Sequence, residues 1–161
     1  MTSRRTFSFF WVLILFLVQE LFGFVFPYWT PPLMLIGVIF YALTEGPVFG
    51  AVIGCFAGFL LDILGVGKLG GSMAILSSVG ALTGFSASKI FYDGFLAQLL
   101  LPVLGNYFLC FFSLLFYQNL PNAEAPSFGL FRESLILSQP LLTALVSPAA
   151  FSFLKKVGKK N

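Results

Sequence analysis

Two carboxylates stand inside otherwise apolar stretches of this sequence, Glu20 and Asp62. An ionised group in such surroundings is energetically expensive and usually has a specific partner or role. Two acids could serve as general acid and base, or as steps in a proton relay. The chain contains no His, and no nucleophile–base pair or metal partner accompanies the acids, so they fit no reaction template. We interpret both as structural, bonded to helix N-termini or paired with Lys68; a proton-coupled carrier is the chemical alternative.

Other reactive side chains give no sign of a catalytic, cofactor or metal site. Cys55 and Cys110 lie within apolar segments without Cys or His at metal-ligand spacing, so we interpret them as small packing residues. The sequence has no phosphate-binding loop, no GxSxG or HExxH motif, and no acidic run typical of Mg²⁺-dependent lipid phosphotransferases. We therefore predict a protein that is not an enzyme and that requires no cofactor.

Glycines spaced four residues apart lead up to Asp62. Spacing of four keeps residues on one face of a helix, and glycines there let another helix backbone approach closely. A second small-residue region follows, with Gly70, Ala74 and Ser78 in one row and Gly80, Gly84 and Ser88 in another. We predict that the two regions pack tightly on each other or on a partner helix. The predicted packing or partner-interface residues are Gly46, Gly50, Gly54, Gly58, Gly70, Gly80 and Gly84.

Six apolar segments are available to position these residues. A helix needs about 20 residues to cross ~30 Å of hydrocarbon. The second segment, residues 31–44, would form a helix only roughly 21 Å long. We therefore expect it to form a shallow hairpin with the third segment or to thin the bilayer locally. The predicted spans are residues 7–26, 31–44, 47–64, 71–90, 95–117 and 134–154.

Composition assigns the chain to the membrane. It has 161 residues, of which 58% are hydrophobic and 9% charged, whereas soluble domains carry about 25% charged residues. We predict an all-α integral membrane protein, with residues 1–161 forming a single compact bundle of about six transmembrane helices. The net charge of +3 lies mainly at the chain ends, which argues against nucleic-acid binding and indicates the positive-inside pattern.

The distribution of basic residues predicts the topology. An even number of spans leaves only Lys68 and Arg132 on the outer side, whereas five spans would place the two basic ends on opposite faces. We therefore expect both termini in the cytoplasm and the segment Gln118–Glu133 outside. The residues predicted on the cytoplasmic side are Arg4, Arg5, Lys89, Lys155, Lys156, Lys159 and Lys160.

Prolines interrupt the fifth and sixth predicted spans. Pro102, Pro140 and Pro148 each remove a helix hydrogen bond, and the freed carbonyl groups need other partners. Such a region could line a binding pocket, although we favour kinks that serve helix packing. Polar residues close to these prolines are Gln98, Asn106, Ser138, Gln139 and Thr143.

A composite sequence pattern extends from Pro32 to Gly84. It consists of an apolar span, an acidic residue before Gly-Pro, glycines at spacing four, a terminal Asp, and a Leu-Gly pair at which apolar sequence resumes. Its positions are Glu45-Gly46-Pro47, Gly50, Gly54, Phe56, Gly58, Leu60-Leu61-Asp62 and Leu69-Gly70, followed by Ala81-Leu82-Thr83-Gly84. This pattern resembles the MreD family of bacterial rod shape-determining proteins.

The resemblance implies a non-enzymatic scaffold of the cell-elongation machinery in the bacterial inner membrane. Members of this family associate with MreC, and through it with MreB, RodA and a class B penicillin-binding transpeptidase. The family is also similar in fold to the substrate-binding S-components of energy-coupling factor transporters. The alternative function is therefore a membrane subunit that binds a small, vitamin-type substrate, and membrane lipid is an expected contact in either case.

Overall fold

The described part of the chain is entirely helical. A computed structural model describes residues 2–25, 32–64, 70–87, 95–117 and 139–158, which contain six α-helices and no strand. This confirms the all-α fold class. The helices are α1 (Thr2–Val25), α2 (Leu33–Glu45), α3 (Pro47–Leu64), α4 (Gly71–Ala87), α5 (Phe95–Tyr117) and α6 (Gln139–Gly158).

Helix α2 forms the centre of the bundle. Every residue from Leu33 to Leu43 is buried, as expected for a helix that is apolar on all sides. Each of the other five helices contacts α2. The short second segment predicted from the sequence is thus an inner helix covered by protein, so its length need not match the thickness of a bilayer.

The five outer helices form a ring around α2. Contacts run from α1 to α3, then to α4, α5 and α6, and Trp11 of α1 closes the ring against Phe153 of α6 with ring centroids 5.7 Å apart. Edge-on aromatic pairs also join the layers, as between Phe40 of α2 and Phe151 of α6 at 5.5 Å. Such pairs add to the burial of apolar surface.

The outer surface of the bundle is also apolar. Large hydrophobic side chains are exposed on α1, α3, α4, α5 and α6. They include Phe10, Leu17, Val48, Val52, Phe59, Leu82, Phe85, Leu100, Leu104, Phe111, Leu141, Leu145 and Phe153. By length and composition, one helix of the described residues, Phe7–Val25, is long and apolar enough to cross a membrane, and the other apolar helices are shorter.

Several sequence-based predictions fall outside the described residues or need adjustment. Lys68, Lys89, Arg132 and the segment Gln118–Glu133 lie outside them, as do Ser88 and Ser138. Pro140 is the second residue of α6 as the structure describes it (Gln139–Gly158), and the carbonyl four residues before it lies outside the described residues. Pro102 and Pro148 do lie inside their helices.

Candidate functional site

The rows of small residues on α3 and α4 pack against each other. Gly54 lies against the backbone of Leu76 and Ser77, and Gly50 lies against the backbone of Gly80. A side chain at either glycine would collide with backbone atoms of α4. The two helices therefore meet main chain to main chain, the arrangement that glycine at spacing four permits.

The register of this contact is antiparallel along its whole length. Gly58 faces the start of α4 at Met73, whereas Gly84 near the end of α4 faces Pro47 at the start of α3. Gly50 also touches Ala42, because a Cβ there would lie 2.5 Å from the Ala42 Cβ. Helix α3 is thus held between α4 and the central helix α2, and its glycines are covered by this chain rather than free for a partner.

Two of the predicted packing residues belong to turns instead. Gly46 and Gly70 have φ angles of +95° and +106°, and a side chain at either would meet open space. Their positive φ reverses the chain between α2 and α3 and before α4, a conformation that disfavours residues with a Cβ. Gly46 and Gly70 are therefore turn residues, although the Gly46 main chain lies against Gly84; a role of either glycine at a partner interface stays a prediction.

Asp62 continues the glycine row and joins the two helix ends. Its Oδ2 atom accepts hydrogen bonds from the backbone N–H of Gly70 at 2.7 Å and of Met73 at 3.4 Å. Its Oδ1 atom accepts one from the backbone N–H of Ser72 at 3.1 Å, and the Ser72 hydroxyl also bonds to the carboxylate. Helix N-termini have unpaired N–H groups and a partial positive charge, so a carboxylate stabilises them. This is the helix-N-terminal arrangement expected from the sequence.

The local sequence explains why Asp62 reaches that position. It follows Gly58 by four residues, so it projects from the same face of α3 that packs on α4. Because Gly58 allows the first turn of α4 to approach closely, the short Asp side chain spans the remaining gap. Asp62 is 9% exposed, so this capping interaction is largely shielded from the surroundings.

Glu20 lies elsewhere and has a different environment. It is exposed on α1, and it forms no ion pair or hydrogen bond with any residue that the structure describes. The structure therefore does not bring the two carboxylates into one site. Lys68, the other partner suggested by the sequence, is outside the described ranges.

Gln19 is a functional position that the sequence reasoning missed. Its Oε1 atom accepts a hydrogen bond of 3.0 Å from the backbone N–H of Met34, at the start of α2. Helix α2 begins after Pro32 without a side-chain cap of its own, so Gln19 supplies the cap from a neighbouring helix. The signal was present, since an amide in an apolar span usually has a buried partner.

Polar residues near the prolines bind each other across α5 and α6. The Asn106 amide nitrogen donates to the Thr143 hydroxyl at 3.4 Å, and the Cys110 thiol lies 3.9 Å from the Asn106 amide oxygen. The Ser147 hydroxyl donates to the Ala144 carbonyl at 3.3 Å. Asn106, Thr143 and Ser147 are all buried. The Asn106–Thr143 bond joins α5 to α6, whereas the Cys110–Asn106 contact lies within α5 and the Ser147–Ala144 bond within α6.

The geometry defines a helical bundle with a central buried helix and a glycine-packed hairpin closed by an aspartate cap. Within the described ranges, no group of three or more His, Cys, Asp or Glu residues is placed to hold a metal ion. Comparison of the chain with protein-family models, curated proteins and solved structures gave no significant match.

Proposed function

We propose that this protein is a multi-pass inner-membrane scaffold of the bacterial cell-elongation machinery, of the MreD type, which binds MreC. The bundle would lie in the plasma membrane with both termini in the cytoplasm. Its contribution would be to hold partner proteins in a fixed arrangement, without chemistry of its own. MreB, RodA and a class B transpeptidase would be reached through MreC.

The exterior of the bundle supports a membrane location. Soluble monomers rarely expose apolar patches larger than a few hundred Å², yet here all five outer helices present large apolar side chains outward. Between Phe7 and Leu154, the described residues include only three charged side chains, Glu20, Glu45 and Asp62. Lipid chains are a suitable environment for such a surface, whereas water is not.

The α3–α4 hairpin is the observation that carries the scaffold proposal. Among the residues on which the resemblance rests, Gly50, Gly54, Gly58 and Gly84 bring the two helices into backbone contact, and Asp62 caps the start of α4. Asp62 is already engaged by several donors, which favours a structural role over proton transfer. A rigid hairpin of this kind suits a protein that presents fixed helix faces to partners.

The test is affinity purification of the tagged full-length chain from native membranes in a mild detergent, followed by mass spectrometry of proteins and small molecules. We expect MreC to be recovered, and a tagged multi-pass protein of similar size and unrelated function serves as the control. Recovery of transport ATPase subunits together with a bound small molecule would instead identify a substrate-binding transport subunit. Absence of MreC from a complex that is otherwise intact would contradict the scaffold proposal.

A further inference from the structure

On its outer side, helix α1 carries a row of exposed residues that the described part of the chain does not cover. Phe10, Leu13, Leu17, Glu20 and Phe24 are all exposed, and their spacing alternates between three and four residues. That spacing repeats every seven residues and matches the a and d positions along which two helices pack. We name these five residues the α1 seam.

The opposite side of α1 is already used within the bundle. Ser8, Val12 and Phe16 are buried, and Gln19 binds the start of α2. The α1 seam therefore lies on the side of α1 that faces away from the other described helices, where Leu21 and Phe22 are exposed as well.

One charged residue distinguishes the α1 seam from the other exposed faces. Among the described residues between Phe7 and Leu154, Glu20 is the only charged side chain exposed within a helix, since Glu45 ends α2 at a turn and Asp62 is buried. Lipid contact alone would favour an apolar residue there. A single polar residue in a helix seam selects register and partner.

The level of Glu20 in the bundle limits the partner further. It neighbours Gln19, which contacts the first turn of α2, so Glu20 lies level with that helix end rather than with the middle of the bundle. In the proposed orientation this level lies within the outer leaflet, because Glu20 is five residues, about 7.5 Å, before the end of the apolar helix at Val25. A Lys or Arg near the outer end of a membrane span can reach this level by extending its long side chain.

We infer that the α1 seam docks a membrane-spanning helix of another protein that carries a basic residue near its outer end, paired with Glu20. A second copy of this chain is less suitable, because a two-fold interface would place Glu20 opposite its equivalent and like charges repel. This inference rests on the membrane location in the proposed function, and it refines how a single-span partner would be recognised.

The test measures association of the full-length chain with designed single-span helices in bacterial membranes by energy transfer between fluorescent fusions. One probe is a Leu/Ala helix with an Arg near its outer end, and the other has Leu at that position. We expect the Arg probe to associate about three- to twentyfold more strongly, the range given by a polar contact between membrane helices. Glu20→Gln should remove that preference, whereas Glu45→Gln should retain it.

A matched leucine pair tests the apolar part of the seam. Leu17 and Leu82 are exposed to similar extents, at 58% and 55%, on different helices. We expect Leu17→Ala to weaken association with the Arg probe and Leu82→Ala to leave it unchanged. Equal association of both probes, or equal effects of both Leu substitutions, would overturn the inference.

Two further results would also reject it. Self-association of the chain that depends on Leu17 would identify a second copy as the occupant. An Arg preference that is absent from the wild-type chain, appears in Lys68→Gln and depends on Glu20 would show that Glu20 pairs with Lys68 within the chain. Recovery of MreC by the Glu20→Gln and Leu17→Ala variants at wild-type levels would leave the proposed function intact while the docking inference fails.

Discussion

The side chain of Asp62 caps the start of helix α4. Its carboxylate accepts hydrogen bonds from three backbone N–H groups before and within the first turn of α4. We expect Asp62→Ala to lower the free energy of unfolding by about 1–2 kcal/mol, as for the loss of an N-terminal cap. Asp62→Asn should cost less, because it retains one acceptor oxygen. Thermal unfolding of the purified protein in detergent measures both effects.

Glu45→Ala is the control for that prediction, since Glu45 is an exposed carboxylate at the turn between α2 and α3. It should unfold at nearly the wild-type temperature. Equal destabilisation by Asp62→Ala and Glu45→Ala would show that general loss of negative charge, rather than the cap, explains the result.

Gly54 tests the closeness of the α3–α4 contact. A Cβ at Gly54 would overlap the backbone of Leu76, whereas a Cβ at Gly71 would meet nothing within 4 Å. We expect Gly54→Ala to cost about 1–3 kcal/mol, typical of overpacking, and Gly54→Leu to prevent stable folding. Gly71→Ala should be neutral or slightly stabilising, because alanine favours helix. The difference is measured as the fraction of folded monomer that remains in detergent after heating. Similar losses for Gly54→Ala and Gly71→Ala would contradict close packing at Gly54.

At the level of helices, α2 depends on α1 for its cap. Gln19→Ala removes the acceptor for the Met34 N–H, leaving a partly buried donor unpaired. We expect a loss of about 1–2 kcal/mol of stability, together with faster hydrogen exchange in the first turn of α2. Glu20→Gln is the matched control from the same turn of α1, because Glu20 is exposed. Unchanged exchange at Met34 in Gln19→Ala would refute the cap.

The sequence predicts those features that depend on local spacing. Glycines at spacing four, followed by Asp62, define one helix face regardless of the rest of the fold, so the packing of Gly50, Gly54 and Gly58 was predictable. Spacing alone does not distinguish the turn residues Gly46 and Gly70 from the packing glycines, since glycine is suited both to a close helix contact and to a positive φ. The Gln19 cap and the central position of α2 depend on which helices are neighbours, and spacing along the chain does not specify this.

At the scale of the whole molecule, the apolar exterior and the basic chain ends give the last prediction. The segment from Lys155 to the end carries Lys155, Lys156, Lys159 and Lys160, and Arg4 and Arg5 lie at the start. Basic residues near membrane spans remain on the cytoplasmic side. Reporter domains that are active on only one side of the membrane can test this. We expect reporters fused to either terminus to lie inside the cell, and a reporter inserted within Gln118–Glu133 to lie outside.

Replacing the four C-terminal lysines with Gln provides the matched control for that topology. The substitution removes the charge bias at one end only, so we expect the C-terminal reporter to distribute between the two sides while the N-terminal reporter stays inside. If the exposed apolar side chains on five helices face lipid as proposed, the wild-type chain should also resist extraction by alkaline carbonate. Reporters that place the wild-type ends on opposite faces would require an odd number of spans. An N-terminal reporter on the outer side would also reverse the proposed orientation of α1. Release of the protein by carbonate would reject the membrane location, and with it both the scaffold proposal and the pairing of Glu20 with a partner helix.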